Sequence, residues 1–181
     1  MRTSRIAGAA LLTCAAIYSA GSFAEGAATS APLEFKGLAI GQAVTTQQIE
    51  STLGISCSAG AHQMQVCNGQ GTVLGYPASF NVVTGADGIL DRIAIRLDSD
   101  HYAAVAEAFH KKFDPATSVE HSPVQNRYGA KFENETVVWG DANGIALMIR
   151  KYADRIDKST IMFSTKRGRD LLGGTKKSDD L

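Results

Sequence analysis

The chain has 181 residues, 44% of them hydrophobic, with 18 basic side chains against 18 acidic ones and a formal net charge of zero. A chain of this length can bury close to 70% of its unfolded surface around one core. Balanced charge argues against nucleic acid as the main partner, since neutralising phosphates needs a net basic face. Reading in chain order, Arg2 and Arg5 precede an apolar run over residues 6–20, and Ser22, Phe23 and Ala24 form a small-x-small cleavage site. These are the three parts of a secretory signal peptide over residues 1–24. The run is shorter than the roughly 20 residues of a spanning helix, which disfavours an uncleaved anchor. Leu11, Leu12, Thr13 and Cys14 form a faint lipobox, but the apolar run continues past Cys14, which argues against lipidation. Cleavage would remove Arg2 and Arg5 and no acid, leaving a net charge of −2. No second long apolar segment follows, so the expected product is a periplasmic or secreted domain with no membrane span.

Residues 25–32 are small and polar and read as a flexible lead-in. Thr45 then looks like a helix N-cap, with Gln48 completing a capping box and Val44 and Ile49 placed for a hydrophobic staple. Leu53 ends the apolar face and Gly54 suits a left-handed C-terminal cap. Cys57 and Cys67 remain after cleavage, and one cysteine pair in an exported chain most simply forms a disulfide. His62 lies between them, but three ligands at this spacing match no familiar zinc pattern. A second helix is expected from Ser99 or Asp100 as cap, with Tyr102, Val105, Ala106, Phe109 and Phe113 as its stripe and Asp114 and Pro115 as its stop.

The rest reads as strands. Residues 79–84 and 89–97 flank a turn at 85–88, and 136–139 and 145–151 flank another at 141–144. Ile161 and Phe163 lie in a last strand after the polar turn at 154–158. Residues 72–75 (TVLG) are echoed by 136–139 (TVVW), and 93–95 (IAI) by 161–163 (IMF). Each half thus runs helix, loop, then about three strands, an order consistent with a tandem αβββ duplication over 35–97 and 98–166. The expected class is α+β, with two short helices on one face of an antiparallel sheet spanning residues 33–166, and a frayed tail over 167–181.

The stretch FKGLAIG at 35–41, followed by Val44, Thr45, Gln48, Ile49, Leu53, Gly54 and Cys57, resembles the opening of β-lactamase-inhibitor-protein repeats and of BamE-like outer-membrane assembly lipoproteins. The resemblance covers about residues 35–97. It implies helices packed on an antiparallel sheet whose open face binds another protein. In the inhibitor family a cysteine after the first helices pairs with one in the next strand region, as Cys57 and Cys67 could. Departures are Gln42 where a methionine is usual, no cysteine in the second half, and no lipidated cysteine at the mature start.

No nucleophile elbow, zinc-protease helix, P-loop or dinucleotide fingerprint is present. His62, His101, His110 and His121 are scattered, and His101 and His110 fall on different helix faces. Asp87, Asp91, Asp154 and Asp157 fit turn chemistry rather than a hydrolase carboxylate pair. The expectation is no catalytic site, no metal and no cofactor. If Ile93, Ile95, Leu147, Ile149, Ile161 and Phe163 face the helices, then Asn81, Arg92, Arg96, Met148, Arg150 and Met162 face away. Arginine forks onto carboxylates and methionine adapts its shape, a mixture suited to a protein partner. Trp139 is expected in the core. The favoured expectation is a non-catalytic protein-binding module of the cell envelope, whose partner is an envelope protein or an exogenous enzyme. An exported hydrolase with a site invisible in sequence, and a small-ligand carrier, are the alternatives.

Overall fold

The computed structural model describes residues 33–140 and 144–173. The expected signal peptide (1–24) and lead-in (25–32) lie outside the described residues, as do 141–143 of one turn and 174–181. The elements run Glu34–Phe35 (β1), Leu38–Ala39 (β2), Thr46–Leu53 (α1), Ser56–Ala59 (β3), Gln65–Val73 (β4), Tyr76–Thr84 (β5), Leu90–Asp98 (β6), Tyr102–Phe113 (α2), Ser118–Gln125 (β7), Lys131–Gly140 (β8), Ala146–Arg150 (β9), Lys158–Ser164 (β10) and Lys166–Gly173 (α3). The fold is α+β. Strands β3 to β10 form one antiparallel sheet in the order β3-β4-β5-β6-β10-β9-β8-β7. Two four-strand meanders, each preceded by a helix, therefore meet at their last strands.

Helix α1 forms because both of its ends are satisfied. Thr45 Oγ1 accepts the Gln48 N–H at 3.1 Å, and Gln48 Oε1 accepts the Thr45 N–H at 2.8 Å. Gly54 closes the helix at φ 69° and donates its N–H to Glu50 O. A cap of this kind contributes about 1 kcal/mol. Helix α2 starts differently from the sequence expectation. Neither Ser99 nor Asp100 caps it; residues Ser99–His101 form a single 3₁₀ turn, and Ser99 Oγ donates to Ile156 O at 2.9 Å instead.

Strand alternation sets the core. Reading across the sheet, Cys67, Val82, Ile93, Phe163, Leu147 and Trp139 stand in register on the helix side. Gly69, Phe80, Ile95, Ile161, Ile149 and Val137 form the next row on that side. Ile49 and Leu53 of α1 and Val105, Ala106 and Phe109 of α2 complete the buried cluster. Gly69 is required there: a Cβ would lie 2.6 Å from Ile55 Cγ2. Trp139 is 2% exposed and donates Nε1–H to Asp114 Oδ1 at 3.1 Å.

Three features depart from the sequence expectation. Each meander has four strands rather than three, because β3 and β7 are polar edge strands without an apolar alternation. In β7, Asn126 donates its N–H to Ala130 O, so alternate residues back along the strand point to β8 and Pro123 faces outward, where its missing N–H leaves no ladder bond unmade. Second, there are three helices among the described residues, and the tail expected from 167 instead begins inside α3. Third, Asp91 is not a turn residue. It lies on β6, 1% exposed, and accepts Thr165 Oγ1–H at 2.8 Å and Arg167 Nε–H at 2.7 Å. Arg167 also forks onto Asp87 at 2.9 and 3.0 Å. Gly168 lets α3 approach, since a Cβ there would sit 2.1 Å from Asp91 O.

The pair Cys57–Cys67 is disulfide-bonded and sits directly opposite in the β3–β4 register. Closing a loop of this length is worth about 2–3 kcal/mol in the unfolded-chain picture. A Cys57→Ser/Cys67→Ser variant should lose about that much stability in urea unfolding. The Arg167 fork holds the Asp87 carboxyl down at about 2, below its ordinary 3.8. The folded chain thus binds this proton more weakly than the unfolded chain. The contribution is complete above pH about 4 and is lost as the pH falls through about 2. Between pH 5 and 2 the thermal midpoint of the wild type should fall more steeply than that of Asp87→Asn.

Candidate functional site

The side of the sheet away from the helices is ordered by the same register that builds the core. Its central row reads Asn68, Asn81, Ala94, Met162, Met148 and Val138 across β4 to β8. One neighbouring row reads Gln70, Ser79, Arg96, Thr160, Arg150 and Thr136. The row on the other flank carries Val83, Arg92, Ser164 and Ala146. All six residues expected on this side, Asn81, Arg92, Arg96, Met148, Arg150 and Met162, therefore share it. Arg92 and Arg96 come from the first meander and Arg150 from the second. Met148 and Met162 are cross-strand neighbours between them.

The three arginines are held differently. Arg92 Nη2 donates to Asn81 Oδ1 at 2.8 Å, and Asn81 Nδ2 donates on to Asn68 Oδ1 at 2.8 Å. Arg92 Nε is buried with no hydrogen-bond partner among the described residues. Its pKa is lowered by desolvation, the mark of a cation held partly out of water without a counter-charge. Arg150 Nε donates to Thr136 Oγ1 at 3.3 Å and its Nη2 lies 4.0 Å from Met148 Sδ. Arg96 Nη1 reaches Asp154 Oδ2 at 3.2 Å, with both side chains more than half exposed. An exposed pair of this kind is worth at most about 1 kcal/mol, so Arg96 is available to exchange its carboxylate. A depression of about 400 Å³ opens beside it, lined by Gln70, Pro77, Ser79 and Lys158. Lys158 pairs with Asp98 at its rim. The chemistry is an apolar, pliable centre flanked by guanidinium donors.

The helix side holds a polar cleft that the sequence did not reveal. Tyr102, His110, His121, Glu133 and Glu135 line a space of about 580 Å³ between α2 and the β7–β8 hairpin. Tyr102 Oη donates to Glu135 Oε1 at 2.7 Å, and burial followed by this bond raises the phenol pKa. His121 Nδ1 lies 3.3 Å from Glu133 Oε1, and its Nε2 lies 3.8 Å from Glu135 Oε2. Ser99, at the cleft margin, spends its hydroxyl on Ile156 O. Among the described residues no three His, Cys, Asp or Glu side chains are placed to hold a metal ion. His101 stacks on Tyr76 at 4.1 Å, far in role from His110, which bonds Asp114 at 2.8 Å.

The run Val137, Val138 and Trp139 does not alternate, so the sequence carries no side for Thr136 and Val138; the register with β9 puts them on the arginine side. Nothing local could have joined Tyr102 to His121 and Glu135, which come from three elements. Among the described residues no helix is long and apolar enough to cross a membrane. Comparison with protein-family models, with curated proteins and with solved structures gave no match to this chain, so its function is argued from its own residues.

Proposed function

We propose that this chain is an exported, non-catalytic binding module that holds a protein partner against the open side of its sheet. The observation that carries the reading is the register itself: Arg92, Arg96 and Arg150 stand on one side of one sheet, around Met148 and Met162. Opposed carboxylates are scarce there, so a partner offering acidic side chains around an apolar patch would complete the surface. Arginine and methionine are both favoured in protein interfaces. The half-buried Arg92 adds to this, because a partner carboxylate would supply the counter-charge it lacks. Export to the periplasm or beyond is supported by the disulfide, which persists in oxidising compartments. A helix before each four-strand meander supports an origin by duplication.

The test is charge reversal on the face. A chain carrying a photo-crosslinker at position 162 is exposed to cell-envelope extract, alongside the same chain with Arg96→Glu and Arg150→Glu. Adduct yield should fall at least tenfold, since each interfacial arginine is worth about 1–3 kcal/mol. The thermal midpoint should be unchanged, because neither side chain is in the core. Equal yields from both chains would count against the reading.

A further inference from the structure

A second surface lies on the helix side, on the opposite side of the sheet from the arginines. Four phenylalanines converge there. Phe163, fully buried, is 5.8 Å from Phe35, 6.1 Å from Phe109 and 6.2 Å from Phe113, ring centre to ring centre. Over this packed cluster an apolar cavity of about 230 Å³ opens between α2 and the β4–β5 turn. An engineered apolar cavity of about 150 Å³ stays dry and accepts benzene. This one has room for a phenyl ring with a short tail, or for a medium-length alkyl chain.

Its mouth is built at a cost in backbone energy. Two non-glycine residues, Lys36 at φ 50° and Leu74 at φ 52°, sit in the left-handed region, and both line this opening. Each is the first residue of a tight turn completed by a glycine, a position that asparagine or glycine fills with less strain. Leu74 is moreover 59% exposed. The two-residue hairpins themselves call for positive φ at these positions; what is unusual is that a lysine and a leucine, rather than asparagine or glycine, occupy them at the rim of one cavity. The charge at the mouth is also biased. Lys36 Nζ stands 5.7 Å from the Phe35 ring centre and Lys112 Nζ stands 5.1 Å from that of Phe113. One carboxylate, Glu34, answers them, at 3.7 Å from Lys112.

We infer that this cavity binds a small amphipathic carboxylate, an arylalkyl or medium-chain acid, with its apolar part against Phe35, Phe109 and Phe113 and its carboxylate between Lys36 and Lys112. The inference is independent of the partner-binding face: variants at Arg96 and Arg150 leave it untouched, and its failure leaves that face untouched. Calorimetric titration of the purified chain with octanoate and with 3-phenylpropanoate should give one saturable site. Kd should be about 0.1–1 mM, the range that roughly ten non-hydrogen atoms supply. The matching alcohols, octan-1-ol and 3-phenylpropan-1-ol, should bind at least fivefold more weakly. Lys36→Gln/Lys112→Gln should erase that preference for the acid. Leu74→Asn should weaken acid binding severalfold while raising the thermal midpoint, since asparagine relieves the turn. Absence of saturable binding, equal affinity for acid and alcohol, or an undiminished preference in the lysine double variant would overturn the inference.

Discussion

Strands β6 and β10 lie side by side because Ile93 and Ile95 meet Phe163 and Ile161 across seven residue pairs. Every other part of the sheet hangs from that seam. The first meander ends in β6 and the second ends in β10, so their pairing turns two four-strand units into one continuous surface. All four of these side chains are essentially excluded from water, and each contributes about 1.5–3 kcal/mol by its burial. The same pairing places Arg96 opposite Thr160 and Ala94 opposite Met162, so what it fixes on the helix side it also fixes on the other. A one-residue slip would send the isoleucines into water and the arginines into the core. The geometry of the candidate surface is thus enforced by the packing energy of the interior.

Strong local periodicity was legible. The alternation through β6 and β9 gave both faces, and the Thr45 and Gln48 box gave α1. The disulfide was legible too, from compartment and cysteine count. Three kinds of information were not. Edge strands β3 and β7 have no buried side to alternate, and Pro123 removes a ladder donor from a segment that otherwise has little strand signal. Helix α3 offers little apolar periodicity, and its described part is held largely by Arg167 on Asp87 and Asp91 and by Arg169 on Ser164 O and Gly144 O, partners 5 to 80 residues away. Asp91 itself looked like a turn aspartate because the residue it serves lies 76 positions further on. The apolar cavity was equally hidden, since its walls come from β1, the β4–β5 turn, α2 and β10.

The molecule divides its chemistry by side. Guanidinium groups and thioethers occupy the surface away from the helices, while the helix side carries a phenylalanine cavity under two ammonium groups and a cleft with two glutamates and two imidazoles. The sheet that separates them is common to all three. Its residues alternate between serving one side and serving the other, so neither surface can be re-registered alone.

The outward-facing proline of β7 has a further consequence. A row of free amide groups along the last strand of a sheet invites another chain to dock there and extend it, which is how end-to-end polymers start. At Pro123 that row has a gap in its donors, and polar Glu120 and His121 stand just before it. The other border, β3, is only four residues long and is tied by a covalent bridge to its neighbour. With both borders unsuited to growth, an incoming molecule is turned away from the margins of the sheet and toward its broad sides, where recognition depends on which side chains it brings rather than on generic backbone pairing.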